Sequence, residues 1–297
     1  MGFLIMQTCK QQSFADSREF GDAVLIKDNF IEDMRMTIDV SVTARYESLK
    51  DRVIIITGGG QGIGRGYAHH FAAQGAIPII AELDGENGVT VQREIEDKGS
   101  VARAIQTDVA SMNSVTDMVD QVLKEFGRID VLINNAAIFS RITMAPFWEL
   151  PLDEWDSAMN VNVTGSYYCA RAVVPAMREV KWGRIVNVTS GTVQLGSANY
   201  LHYITSKSAM IGMTRSMARE LGPSNITVNT FWPGITKTEV DRPSATDEVF
   251  EMFAQRQCLP RMTTIEDLAK PMLFLCSEEA AYMTGQIFEP DGGLSFN

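Results

Sequence analysis

Tyr203 and Lys207 bracket the run Tyr203-Ile204-Thr205-Ser206-Lys207, and on a helix that spacing places both side chains on one face. A phenol ordinarily ionises at about pH 10, too high for a base at neutral pH, but a nearby ammonium favours the phenolate. The pair has the chemistry to take a proton from a hydroxyl, or return one to a carbonyl oxygen. Taken alone, the spacing fits equally a packed tyrosine beside a lysine whose stem covers apolar surface.

A second chemical signal lies upstream, where Val53-Ile54-Ile55-Ile56 runs into Thr57-Gly58-Gly59-Gly60-Gln61-Gly62-Ile63-Gly64. A glycine-rich turn between a strand and a helix N-terminus presents backbone N–H groups and the positive dipole end to a pyrophosphate. The strict G-x-G-x-x-G pattern is absent; T-G-x-x-x-G-x-G stands in its place, and a turn needing glycine only for its backbone would look similar. Glu82 closes the next apolar run, twenty residues after Gly62. A carboxylate there can accept from both adenosine-ribose hydroxyls and repels a 2′-phosphate.

These residues need elements to hold them. A strand at 53–56, a helix at 65–74 stopped by Gly75 and a strand at 77–81 make one βαβ unit. The alternation continues with a helix at about 86–98, a strand at 101–107, a helix at 112–126 and a strand at 131–133. A long helical stretch at about 153–179, a strand at 184–188, a helix at about 200–221 ending at Gly222-Pro223, a strand at 226–229 and a short strand at 286–288 follow. Such regular alternation predicts an α/β fold: a doubly wound, Rossmann-like parallel sheet of about seven strands with helices on both faces. Residues 1–48 read as an N-terminal extension and 49–297 as a single domain, with a substrate loop at about 235–262.

Composition narrows the function. With 45% hydrophobic and 21% charged residues the chain belongs with folded globular proteins. A net charge of -11 without a basic run argues against nucleic acid and anionic lipid. Cys9, Cys169, Cys258 and Cys276 lack C-x-x-C spacing, so neither a metal site nor a disulfide framework is expected and a cytoplasmic location fits. The first residues are too short an apolar run for a secretion signal, the first fifty are too acidic for mitochondrial import, and no uninterrupted apolar run is long enough to span a membrane.

Thr57, Gly58, Gly62 and Gly64 with Tyr203 and Lys207 resemble the short-chain dehydrogenase/reductase family, and further motifs follow in that family's order over about 50–297. Asp108-Val109 resembles the pair that frames the adenine, and Asn134-Asn135-Ala136-Ala137 the family's N-N-A-G. Arg184 through Ser190 resembles its strand-plus-serine signature, and Asn162 its proton-relay asparagine, with Asn160 the fallback. The segment from Asn229 through Pro233-Gly234 to Thr236 and Thr238 resembles the stretch that closes over the nicotinamide, and Asp291-Gly292-Gly293 the last turn. The resemblance implies a catalytic tetrad of Asn162, Ser190, Tyr203 and Lys207, with Ser190 hydrogen-bonding the substrate oxygen and Lys207 the nicotinamide ribose. It implies a cofactor held by Gly58, Gln61, Gly62, Ile63, Gly64, Glu82, Asp108, Val109, Asn135, Tyr203, Lys207, Pro233, Gly234, Thr236 and Thr238. Members preferring NADP carry a basic residue where Gln61 and Leu83 stand here, so NAD is the expected cofactor.

The expected reaction is interconversion of a secondary alcohol and its ketone. Strand-end loops at about 138–151, 191–199 and 235–262, rich in Phe, Met and Leu, point to a hydrophobic or cyclic substrate. Three rivals stand beside this: a serine hydrolase, a non-catalytic NAD-sensing protein and an NADPH-dependent 3-oxoacyl thioester reductase. The hydrolase lacks a G-x-S-x-G elbow around Ser190, and its base would have to be His69, His70 or His202. His202 points about 100° away from Tyr203 on their helix. The family resemblance also implies a homodimer or homotetramer through the helices near 153–179 and 200–221.

Overall fold

The computed structural model describes residues 44–139, 142–240 and 246–296, all within the unit Ile38–Asn297. The expected extension therefore lies outside the described residues up to position 43. Residues 44–49 lie on the domain: Tyr46 N donates to Gln74 Oε1 (2.9 Å), Gln74 Nε2 donates to Ala44 O (3.0 Å) and Leu49 is buried.

Seven parallel strands form one sheet in the order β3-β2-β1-β4-β5-β6-β7. They are β1 (Val53–Thr57), β2 (Ile77–Glu82), β3 (Arg103–Gln106), β4 (Val131–Asn134), β5 (Gly183–Val188), β6 (Ile226–Phe231) and β7 (Ile287–Phe288). The β1 run is apolar throughout because both of its faces are covered. Ile54 and Ile56 join the core beneath α1 (Gly62–Ala73) and α9 (Ile265–Cys276). Val53 and Ile55 face the opposite core, with Met118 of α3 (Met112–Phe126) and Val173 of α5 (Gly165–Val180). Strand order reverses between β1 and β4, and in open sheets of this kind a crevice opens beyond the strand ends at that point.

The expected helix at 153–179 is interrupted. α4 (Leu152–Met159) passes into a π-helical turn at Asn160–Thr164, where Gly165 N donates to Asn160 O, five residues back, before α5 begins. Asn-Val-Asn-Val-Thr is a run of poor α-helix formers, which accommodates the wider turn. β3 is shorter than the expected 101–107, because as an edge strand it pairs only with Ile79–Glu82 of β2. α1 begins at Gly62 rather than 65, and β7 keeps only Ile287–Phe288.

α9 carries no sequence expectation, although Ile265, Leu268, Ala269, Met272, Leu273 and Cys276 are buried at helical spacing; Pro271 within it reads as a break. Its start is marked by a capping box: Asp267 N donates to Thr264 Oγ1 (3.3 Å) and Thr264 N to Asp267 Oδ2 (2.9 Å). The short α6 (Thr192–Leu195) is likewise new. α2 (Gly85–Glu96), α7 (Leu201–Leu221) and α8 (Asp247–Arg256) complete the helices among the described residues. None is long and apolar enough to cross a membrane.

Candidate active site

α7 buries Tyr203, Lys207, Met210, Thr214, Ala218 and Leu221, a stripe at steps of three and four residues. The reactive pair is thus the N-terminal continuation of the face that packs α7 on the sheet. Its position is locked below by a buried polar chain. Asn134 Nδ2 donates to Asn187 Oδ1, Asn187 Nδ2 donates to Thr214 Oγ1, and the Thr230 and Thr214 hydroxyls are joined, each at 2.9 Å. Each such bond adds about 1 kcal/mol, and losing one partner strands another inside the protein.

Lys207 Nζ donates to Val188 O at the end of β5 (2.8 Å) and stands 5.9 Å from the centre of the Tyr203 ring. Burial lowers its ammonium from the ordinary 10.5 to about 8. The charge acts on the phenol through a poorly screening interior. On the other side, the Phe139 ring lies against Tyr203 at 4.5 Å between centroids, tilted by 36°. Ser190 follows β5, and its Oγ accepts from Thr192 N (3.3 Å) and Thr192 Oγ1 (3.0 Å). A serine hydroxyl that accepts twice keeps its own proton for a substrate oxygen.

Asn162 is buried in the π-helical turn. Its Oδ1 accepts from Ile138 N (2.8 Å) and its Nδ2 donates to Ser206 Oγ (2.9 Å), whose hydroxyl donates to Tyr203 O (2.7 Å). Asn162 therefore ties the strand-end segment carrying Phe139 to the backbone of the helix carrying Tyr203. Ser206 is the link that sequence reasoning missed, and only its place between Tyr203 and Lys207 hinted at it.

The glycine turn is tightly constrained. Gly58 has φ +63°, and a Cβ on Gly64 would lie 2.2 Å from Gly58 O and 2.7 Å from Asn135 Nδ2. Thr57 Oγ1 accepts from Asn135 N and Ala136 N, each 3.0 Å, which joins the turn to the end of β4. Glu82 Oε2 accepts from Gly60 N (3.0 Å), while Oε1 accepts from Leu83 N (2.9 Å) and Asp84 N (3.3 Å). A Cβ on Gly60 would meet Glu82 Cγ at 2.6 Å, so any larger residue there would displace the carboxylate.

A groove of about 390 Å³ runs along this edge. Gly58, Gln61, Gly62, Ile63, Gly64, Glu82, Asp108, Val109, Asn135, Tyr203, Lys207 and Pro233 all line it. Gln61 caps α1 without a side-chain bond, so the helix N-terminus is left for an external acceptor. One of its amides is already engaged: Gly62 N donates to Glu239 Oε1 (2.9 Å). A turn in which Cβ atoms are excluded, bordered by a carboxylate at one end and Lys207 at the other, fits an extended dinucleotide. Ser190, Gly234 and Thr236 instead line a second cavity of about 240 Å³, which shares Ile63, Phe139, Thr189, Tyr203 and Pro233 with the groove. Thr238 lines neither; its Oγ1 would lie 3.6 Å from a Cβ on Gly62.

The histidines are packed elsewhere. His69 Nε2 lies 2.9 Å from Glu94 Oε2, His70 Nδ1 is 2.8 Å from Gly66 O, and His202 is buried with its pKa lowered by that burial. None lines the cavity with Ser190, which leaves a hydrolytic serine there without a histidine base.

Residues 58–295 match the family model described as Enoyl-(Acyl carrier protein) reductase. The chain is 34% identical over 254 residues to "Probable galactose dehydrogenase GalD" of Rhizobium meliloti, covering 85% of this chain and 98% of the relative. It is 33% identical over 247 residues to the 3-oxoacyl-[acyl-carrier-protein] reductase of Aquifex aeolicus, covering 83% and 98%. Among solved structures, the 3-ketoacyl-(acyl-carrier-protein) reductase of Brucella melitensis complexed with NADH superposes with a TM-score of 0.77. It is 31% identical, with 84% of this chain and 100% of that one covered.

Proposed function

Because the chain belongs to the short-chain dehydrogenase/reductase family, we propose that it is an NAD-dependent oxidoreductase interconverting a hydrophobic or cyclic secondary alcohol and its ketone. The observation that carries this reading is the junction at Tyr203, where the groove that fits a dinucleotide meets the cavity holding Ser190. The catalytic residues are Asn162, Ser190, Tyr203 and Lys207, of which Asn162 acts by positioning.

When bound, the nicotinamide supplies the acceptor or donor of the carbinol hydride. Ser190 donates its hydroxyl proton in a hydrogen bond to the substrate oxygen, and the Tyr203 phenolate removes the alcohol proton. In the reducing direction the Tyr203 hydroxyl returns that proton to the carbonyl oxygen. Lys207 keeps the phenolate accessible near neutral pH through its charge. The Phe139 ring and the Asn162–Ser206 link hold Tyr203 in place. Gly58, Gln61, Gly62, Ile63 and Gly64 would hold the pyrophosphate, with Thr238 beside Gly62; Asp108 and Val109 would hold the adenine side, and Asn135, Pro233, Gly234 and Thr236 the nicotinamide end.

The preference for NAD is supported by Glu82 at the end of β2, since its carboxylate, with an acceptor site on Oε2 left for a ribose hydroxyl, repels a 2′-phosphate. Arg65, the nearest cation on α1, is engaged by Glu94 (2.8 and 3.1 Å) and faces Glu239 (3.5 Å). A second reading, reduction of a 3-oxoacyl thioester, is favoured by relatives that bear that name, among them those of Aquifex aeolicus and Brucella melitensis. Copies of the chain are expected to associate as a homodimer or homotetramer through α5 and α7, which expose Tyr167 and Leu201.

The test is NADH formation from a panel of secondary alcohols, repeated with NADP and with Tyr203→Phe. Turnover with NAD that collapses in the variant is expected. Cofactor binding without turnover on any alcohol or ketone would point instead to a sensing protein, and a strong NADPH preference to the thioester reductase.

A further inference from the structure

The cavity beside Ser190 is walled in part by a segment that loop-based reasoning overlooks, the turn at 291–295. Asp291 builds that turn. Its Oδ1 accepts from Gly293 N (2.9 Å) and Leu294 N (3.2 Å), and its Oδ2 accepts from Ser295 N (2.9 Å) and Ser295 Oγ (2.7 Å). Asp291 is buried and its carboxylate is fully engaged by its own turn, so although it borders the cavity it offers a substrate little. Leu294 is the apolar residue of the turn that lines the cavity. The tail is tied to α6 by Gln194 Nε2, which donates to Phe296 O (2.9 Å), and Leu195 beside it is another wall.

The remaining surface is apolar and aromatic. Phe139 stacks on Tyr203 and lies 6.5 Å from Tyr200 between centroids, and Phe253 of α8 adds a third aromatic side. Apart from Asp291, whose carboxylate is engaged by its own turn, the polar side chains on the wall are hydroxyls, and among the described residues no Lys, Arg or His lines it. At about 240 Å³ the space is smaller than the roughly 300–1,000 Å³ filled by drug-sized ligands.

We propose that the turn at 291–295, through Leu294, is a specificity wall of this site, and that the site selects an uncharged ketone or alcohol bearing a single ring beside the reacting carbon. The proposal rests on the oxidoreductase reading above and narrows its substrate. A ring seats against Phe139 and Tyr200 with its carbonyl oxygen toward Ser190 and Tyr203. A carboxylate on that ring meets Leu294 and Leu195 beside the Asp291 carboxylate, and loses its hydration with no cation among the described lining residues.

The probes are acetophenone and 4-acetylbenzoate, each reduced with NADH and a proton to the secondary alcohol and NAD. The full chain should reduce acetophenone with a kcat/KM at least ~100-fold above that of 4-acetylbenzoate. Leu294→Arg should narrow that ratio by ~10-fold or more, by raising activity on the carboxylate. Leu294→Ala should raise KM for acetophenone by ~10-fold with a smaller change in kcat. Should Leu294→Arg fail to fold, Leu195→Arg at the exposed mouth reads the same ratio. Equal activity on both ketones, or a ratio unmoved by the folded arginine variants, overturns the proposal. So does a chain that turns over only sugars or acyl thioesters, a result that leaves the oxidoreductase reading intact. Absence of turnover on every alcohol and ketone strikes that reading instead, and the wall is then refuted by acetophenone binding equally to parent and Leu294→Arg in saturation-transfer NMR.

Discussion

Lys207→Met separates what the lysine does for the reaction from what it does to the fold. Burial lowers its ammonium from 10.5 to about 8. At about 1.4 kcal/mol per tenfold change in proton affinity, keeping the charged form inside the protein costs the folded state about 3 kcal/mol. The unfolded chain binds this proton more tightly than the folded one. The cost is therefore fully present below about pH 8, shrinks as pH rises, and is gone above the ordinary lysine value. Methionine has a similar shape without the charge, but it leaves Val188 O without its 2.8 Å donor, a loss of about 1–3 kcal/mol that does not depend on pH. The variant should therefore match the parent at pH 7 or exceed it by up to about 2 kcal/mol, and lose about 2–3 kcal/mol relative to it by pH 10. Denaturant unfolding of both proteins at the two pH values, followed by far-UV circular dichroism, measures this directly. Taking the difference at each pH cancels every titrating group that does not sense Lys207, and repeating the comparison in a Tyr203→Phe background removes the one that does. A difference between parent and variant that stays constant from pH 7 to pH 10 would show that the buried charge is not what sets the balance. Turnover should fall by at least ~10²-fold in the same variant, because nothing then favours the Tyr203 phenolate.

Tyr203→Phe should lower kcat by ~10²–10⁴-fold with NADH affinity retained, read from steady-state rates and a fluorescence titration; near-normal turnover would remove Tyr203 from the chemistry. Gly64→Ala places a methyl 2.2 Å from Gly58 O, so the turn must open. About 1–3 kcal/mol of stability and most of the NADH affinity should go with it, and an unchanged affinity would mean that this turn does not hold the cofactor. Glu82→Ala should reduce the NAD-over-NADP ratio of kcat/KM by ~10-fold or more while lowering stability by about 1–3 kcal/mol, because the Gly60, Leu83 and Asp84 amides lose their acceptor. A ratio that does not move would assign selectivity elsewhere.

The parts of this fold that were legible from sequence are those where one period dominates. β1 reads as a strand because Val53–Ile56 is apolar on both faces, and α3 at 112–126 reads to the residue because Ser111 caps it and Gly127 ends it. The groove residues were legible because a strand, a glycine turn and an acidic strand end occur in sequence order and meet at one edge of the sheet. What stayed hidden depends on contacts between distant segments. Asn162 could be placed only by resemblance, since its bonds run to Ile138 and Ser206. The stripe of α9 at Ile265, Leu268, Ala269, Met272, Leu273 and Cys276 was passed over because Pro271 lies inside it and reads as a break. Leu294 reaches the cavity only because Asp291 turns the chain there, a bond pattern with no signature beyond an Asp-Gly-Gly run. The double duty of Glu82 was equally invisible: facing the groove is read from position, holding Gly60 N only from coordinates.

The π-helical turn at Asn160–Thr164 makes the length of this segment a quantity the protein cannot vary freely. A residue added to or removed from a helix rotates everything beyond it by about 100°. Downstream of the turn, Cys169, Val173 and Met177 of α5 face the core, and upstream, Ala158 of α4 is buried. The wide turn takes up a phase offset between these two faces and leaves Asn162 in the gap, aimed at Ile138 and Ser206. Deleting a single residue between 160 and 164 would restore an ordinary helix with both buried faces kept in place, because the wide turn already absorbs one residue. The Asn162 carboxamide would instead lose its aim at Ile138 and Ser206. The extra residue thus serves the site and not the packing, so its removal should cost activity while the fold stands.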